Sequence, residues 1–143
     1  MPLNVLIADD SAVMRAMILR TLRVGGLPLG EVHEAGDGAR ALECVRRSPL
    51  DLVLLDVNMP VMTGEEVLEH LRADPATADL RVIVVSTEGS EARIERLTSR
   101  HVAFVHKPFT PETLRDTVLR ICGISHDDAT AAGRADDGDA LDF

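Results

Sequence analysis

The 143-residue chain contains no tryptophan and no tyrosine, and only three phenylalanines. That excludes a ring platform for stacking nucleobases, and it means that any core must be aliphatic. Positive charge is also short. Fifteen Lys and Arg stand against 24 Asp and Glu, a formal net charge of −9, which argues against nucleic acid or an anionic membrane as partner. The two cysteines, Cys44 and Cys122, lie far apart inside apolar helical patterns. They read as buried free thiols in a reducing compartment, not as a disulfide framework. No apolar run approaches the length of a membrane span, and the first one is short and lacks the basic flank of a secretory signal. The expectation is a soluble, cytoplasmic, single-domain protein, monomeric or weakly dimeric.

What the chain does have is a regular alternation of apolar runs and helical periods. Asn4 to Ala8 is a short apolar run, and Ala12 to Val24 carries Val13, Met17, Leu19 and Leu22 at helical spacing before Gly25-Gly26. A weak strand, Glu31 to Ala35, precedes a turn at Gly36-Asp37-Gly38 and a helix to Arg47. "LDLVLLDV" (residues 50–57), "RVIVVS" (81–86) and "HVAFVH" (101–106) are further strands. Helices follow them over Glu65 to about Ala73, Glu91 to Arg100, and Pro111 to Cys122, the last with Thr110 as cap and Pro111 in its first turn. Five strand-then-helix units in about 120 residues predict a doubly wound parallel α/β sheet with helices on both faces, which suits continuously apolar strands. Residues 1–123 form this domain. Residues 124–143 are rich in Asp, Ala and Gly without an apolar period, the composition of an acidic disordered tail.

The charges are not scattered. Asp9 and Asp10 end the first strand, Asp56 lies near the end of the third, Ser86 ends the fourth and Lys107 follows the fifth. Singly, each has an ordinary explanation: an Asp at a strand-to-helix junction is commonly a helix cap, and a Lys is commonly solvated. In a parallel sheet, however, all of them fall at one edge, where open α/β folds bind ligands. Three carboxylates in one crevice repel by several kcal/mol at an effective dielectric of about 20. A hard divalent cation relieves this, and Mg²⁺ takes oxygen ligands while keeping waters that a phosphate oxygen can replace. The set suits phosphoryl transfer with a carboxylate nucleophile.

Asp9-Asp10, Asp56, Ser86 and Lys107-Pro108, with "DVNMPVMTG" and "HKPF" around two of them, resemble the receiver domain of two-component response regulators, above all the stand-alone chemotaxis regulators. The resemblance spans residues 3 to 122. It implies a flavodoxin-like (βα)5 sheet of order 2-1-3-4-5, with Asp56 accepting a phosphoryl group from a histidine kinase or phosphotransfer protein. It implies Mg²⁺ held directly by Asp10, Asp56 and the Asn58 backbone carbonyl, and by Asp9 mostly through water. Ser86 and Lys107 are implied to bind the phosphoryl group, Ser86 and Phe104 to form the switch, and Pro108 to follow a cis peptide bond. Asn58, Thr87 and Glu88 occupy positions implied to tune the kinetics. A downstream target protein is implied to dock on the last two βα units, residues 90–122. Ser86 stands for the commoner Thr, Phe104 for the frequent Tyr, Thr87 for the usual Ala, and Arg100-His101 for a small Gly-Ala pair. His101 and His106 lack ligand-spaced partners and are expected on the surface. Two alternatives stay open. A phosphatase of the haloacid dehalogenase type needs a second Asp two residues after the nucleophile, where this chain has Asn58. A degenerate receiver would act only as an interaction module.

Overall fold

The computed structural model describes residues 2–87 and 89–123. The expectations for Glu88 and for the acidic tail, residues 124–143, lie outside the described residues. Ten elements alternate: β1 (Leu3–Ala8), α1 (Ala12–Val24), β2 (Leu29–Ala35), α2 (Gly38–Arg47), β3 (Leu52–Leu55), α3 (Gly64–Ala73), β4 (Arg81–Ser86), α4 (Glu91–Thr98), β5 (Ala103–His106) and α5 (Pro111–Cys122). All strand pairs are parallel, in the order β2-β1-β3-β4-β5. The order reverses between β1 and β3, so a crevice opens outside their carboxyl ends.

The two faces of the sheet follow from side-chain alternation. Ile7, Leu54 and Ile83 are neighbours across β1, β3 and β4 and share one buried cluster with Ile18 and Leu22 of α1 and Leu114 and Val118 of α5. Ala8, Leu55 and Val84 are the next tier and face the opposite way, against Leu42, Val67, Leu68 and Leu97 of α2, α3 and α4. A one-residue slip of any central strand would exchange these faces, so the register is strongly set.

Each helix opens on a side-chain cap. Ser11, Asp37, Thr63, Ser90 and Thr110 accept from the backbone N–H of Met14, Arg40, Glu66, Arg93 and Thr113. Thr63 and Glu66 form a reciprocal capping box, with the Glu66 carboxylate accepting from Thr63 N–H at 2.9 Å. Gly123 closes α5 in the left-handed region.

Several boundaries differ from the periodicity: β2 starts at Leu29, before the expected Glu31, and β3 starts at Leu52, not Leu50. β3 ends at Leu55, so Asp56 stands just past the strand and not within it. β5 starts at Ala103, because His101 adopts φ 62° and turns the chain after α4. This His fills the role that a glycine has in many such turns, and α4 stops at Thr98 with Ser99 as cap. The thiols are also less enclosed than expected: Cys44 and Cys122 are half-buried, free, and raised in pKa mainly by that burial.

Candidate functional site

Backbone hydrogen bonds carry the sheet one step past its formal strands and so align the polar residues. Asp9 N–H donates to Ala35 O at 3.0 Å, Asp56 N–H to Ala8 O at 2.9 Å, and Lys107 N–H to Ser86 O at 2.9 Å. Asp9, Asp56, Ser86 and Lys107 therefore meet at one edge because the same ladder positions each of them.

The carboxylates of Asp9, Asp10 and Asp56 each place an oxygen within 4.8 Å of the others. Asp9 and Asp56 are buried and Asp10 is exposed. Lys107 Nζ donates to Asp9 Oδ2 at 2.8 Å and lies 3.7 Å from Asp56 Oδ2. Asp9 Oδ1 accepts from Ser11 N–H at 2.9 Å, so both oxygens of Asp9 already have partners. One ammonium does not balance three carboxylates. Burial pushes the Asp56 carboxyl above its ordinary value; Lys107 pulls it down, Asp9 pushes it up, and the N–H groups of Asn58 and Val57 pull it down. An all-oxygen cluster with one exposed carboxylate and a net negative charge fits a hard divalent cation such as Mg²⁺.

Ser86 is fully buried at the end of β4. Thr87 and Asn58 are exposed, and the Lys107-Pro108 bond is cis. Phe104 is half-buried on β5, packs against the α2–α3–α4 side of the core, and meets His106 edge-on at 4.7 Å between ring centroids. His101 and His106 are exposed, as expected.

Sequence reasoning missed the supports. Arg15 donates from Nη1 to Asp9 O at 2.6 Å and from Nε to Glu34 Oε1 at 2.8 Å, tying the β1–α1 turn to β2. Gly64 N–H donates to Val57 O at 2.8 Å, and a Cβ at Gly64 would lie 2.2 Å from Asp56 O. Val61, 82% exposed, sits at φ 68° in a tight turn closed by Met62 N–H to Pro60 O at 2.7 Å. A β-branched side chain is strained there, by about 1 to 3 kcal/mol. Val61→Gly is therefore expected to raise the melting temperature by roughly 4 °C, read by calorimetry; the gain is partly offset by the greater freedom of the unfolded glycine.

A doubly wound parallel sheet that gathers three carboxylates, a hydroxyl and an ammonium at its carboxyl edge defines a class of domain whose chemistry is carried by that edge. The chain belongs to one family within it. The sequence model of the response regulator receiver domain matches residues 5–119. Chemotaxis protein CheY-3 of Vibrio cholerae is 32% identical over 120 residues, 83% of this chain and 91% of that protein. Chemotaxis protein CheY of Pseudomonas aeruginosa is 34% identical over 120 residues, 83% of this chain and 95% of that protein. The crystallised chemotaxis response regulator CheY4 of Vibrio cholerae superposes with a TM-score of 0.75 at 33% identity, covering 85% of this chain and 99% of that one. The chain is thus a receiver domain of two-component signalling, similar to chemotaxis response regulators, and its family is one of phosphorylation-activated switches, not of enzymes. The phosphatase reading is not favoured, and Asn58 occupies the place where that chemistry needs an acid.

Proposed function

We propose that Asp56 is the phosphoacceptor of this receiver. The observation that supports it most is the gathering of Asp9, Asp10 and Asp56 beside Lys107 at the carboxyl edge of the sheet. An Asp56 Oδ attacks the phosphorus of a phosphohistidine on a histidine kinase or phosphotransfer protein. A P–O bond forms, the P–N bond breaks, and its electron pair stays on the departing imidazole, which takes up a proton. Asp10, Asp56 and the Asn58 backbone carbonyl would hold Mg²⁺ directly, and Asp9, with both oxygens engaged, would act through water. Bound there, the ion would offset the carboxylate repulsion and supply positive charge to the transferred group. Lys107 supplies an ammonium to the phosphoryl group, and Ser86 a hydroxyl.

The acyl phosphate adds charge and acceptor oxygens at one point. Ser86 moves toward it and Phe104 turns into the space, altering the surface over residues 90–122 for a target protein. The donor partner has a face to meet: Val13, 76% exposed in the first turn of α1, and Val61 in the loop after Asp56 are apolar and lie close in sequence to the acidic residues. Slow self-phosphorylation from small phosphodonors, slow autodephosphorylation tuned by Asn58 and Thr87, a cytoplasmic location and a receiver spanning residues 1–123 complete the reading. No helix among the described residues is long and apolar enough to cross a membrane.

Intact-mass spectrometry after incubation with a small acyl phosphate and Mg²⁺ tests this. One added phosphoryl group, removed by hydroxylamine, is the expected result. Steady phosphate release without accumulation would favour the phosphatase reading, and no mass change would favour a degenerate receiver.

A further inference from the structure

α4 is the helix with the least apolar anchorage. Leu97 is its one buried residue, whereas the other helices bury two to five. A cavity of about 130 Å³ lies between α3 and α4, lined by Glu65, Leu68, Arg96, Leu97 and Arg100. Apolar packing through Leu97 and Leu68 therefore closes only part of this seam, and charge bridges the rest.

At the carboxyl end of α4, Arg72 of α3 donates from Nε to Arg100 O at 2.9 Å and from Nη2 to His101 O at 3.2 Å. Its Nη1 bonds Ala78 O at 3.1 Å and Leu80 O at 2.8 Å, so one guanidinium fixes both the turn after α4 and the approach to β4. At the amino end, Arg93 Nε pairs with Glu65 Oε1, the two side chains being 27% and 34% exposed. Arg93 lies in the first turn of α4, where a cation opposes the helix dipole. Glu65 lies in the first turn of α3, where an anion is favoured. The arginine thus works against its own helix, and its partner lies on the neighbouring one. Glu65 also follows Gly64, whose backbone rests against the Asp56 carbonyl.

We propose that the Glu65–Arg93 pair is a latch holding the amino-terminal half of α4 against α3 in the resting protein, with the Arg72 clamp as its hinge, and that Gly64 ties this latch to the Asp56 turn. The regulatory consequence rests on the phosphoacceptor reading above: displacement of the Asp56 turn carries Glu65 with it and frees α4. The latch itself does not depend on that reading.

Amide hydrogen exchange over residues 91–98, measured on the full chain without metal or phosphodonor, tests it. Glu65→Gln and Arg93→Gln are each expected to speed exchange there by about two- to fivefold, the range of a partly exposed ion pair. The double variant is expected to fall short of the sum of the two single effects, since both changes remove the Glu65–Arg93 pair. About 0.5 M salt should speed the wild type alike and act less on the double variant, which keeps the Arg100–Glu69 pair at the other end of the seam. Unchanged exchange in either single variant, additive effects in the double, or a rise spread over the whole domain would overturn the latch. If these results hold but phosphodonor with Mg²⁺ fails to loosen α4 in the wild type, the latch stands and the coupling to Asp56 falls.

Discussion

Asp56→Asn is expected to abolish phosphoryl acceptance while making the fold more stable. The amide keeps the shape of the carboxylate and can still accept from the Val57 and Asn58 N–H groups, but it has no negative oxygen with which to attack phosphorus. The stability gain follows from the sign of the Asp56 shift. Its carboxyl titrates above the ordinary 3.8 in the folded chain, chiefly because it is buried. Between the two values the folded state binds more protons than the unfolded state, so stability falls as pH rises through that window. The cost is absent below the ordinary value and complete above the raised one. In chelator-treated buffer at pH 7 the variant should melt higher than the wild type. The two proteins should converge when the pH is brought below the ordinary carboxylate range. Equal melting at pH 7, or retained labelling by acetyl phosphate, would contradict this.

Gly64→Ala is expected to be the most damaging single-methyl change at the site. The added Cβ meets Asp56 O at 2.2 Å and Val57 Cα at 2.8 Å, which are backbone atoms and cannot swing aside. Forced expansion of a packed region costs about 1 to 3 kcal/mol, a fall of roughly 4 to 12 °C in melting temperature. Because the atoms displaced belong to the residue proposed to react, labelling should slow as well; a misplacement of about 1 Å can cost on the order of 10²-fold. Gly89→Ala is the control, since nothing lies within 4 Å of its Cβ position. Thermal melts and phosphodonor kinetics of the two variants check both halves.

The sheet was legible because its central strands are covered on both faces and so are uniformly apolar over Val5–Ala8, Leu52–Leu55 and Val82–Val85. Strand order came only with the family resemblance, because periodicity does not say which strands are neighbours. The acidic edge was legible for the opposite reason: Asp9, Asp56 and Ser86 are polar residues placed where burial is otherwise unbroken. The structure agrees with that juxtaposition, including Lys107 between Asp9 and Asp56. The end of β3 was overrun because Asp56 and Val57 are buried without belonging to the strand. What stayed hidden were supports whose partners are backbone atoms. The bonds of Arg15 to Asp9 O and of Arg72 to four carbonyls leave no pattern in the side-chain sequence. His101 and Val61 at positive φ are residues that ordinarily argue against such turns.

The central claim is that chemistry at Asp56 changes a surface formed by the last two βα units. Its most direct test is the backbone amide spectrum of the full chain with Mg²⁺, before and after phosphorylation by acetyl phosphate. The expected result is large shifts at Ser86, Phe104 and through residues 90–122, with β2 and α2 little changed. Shifts confined to the residues around Asp9, Asp10, Asp56 and Lys107 would contradict it.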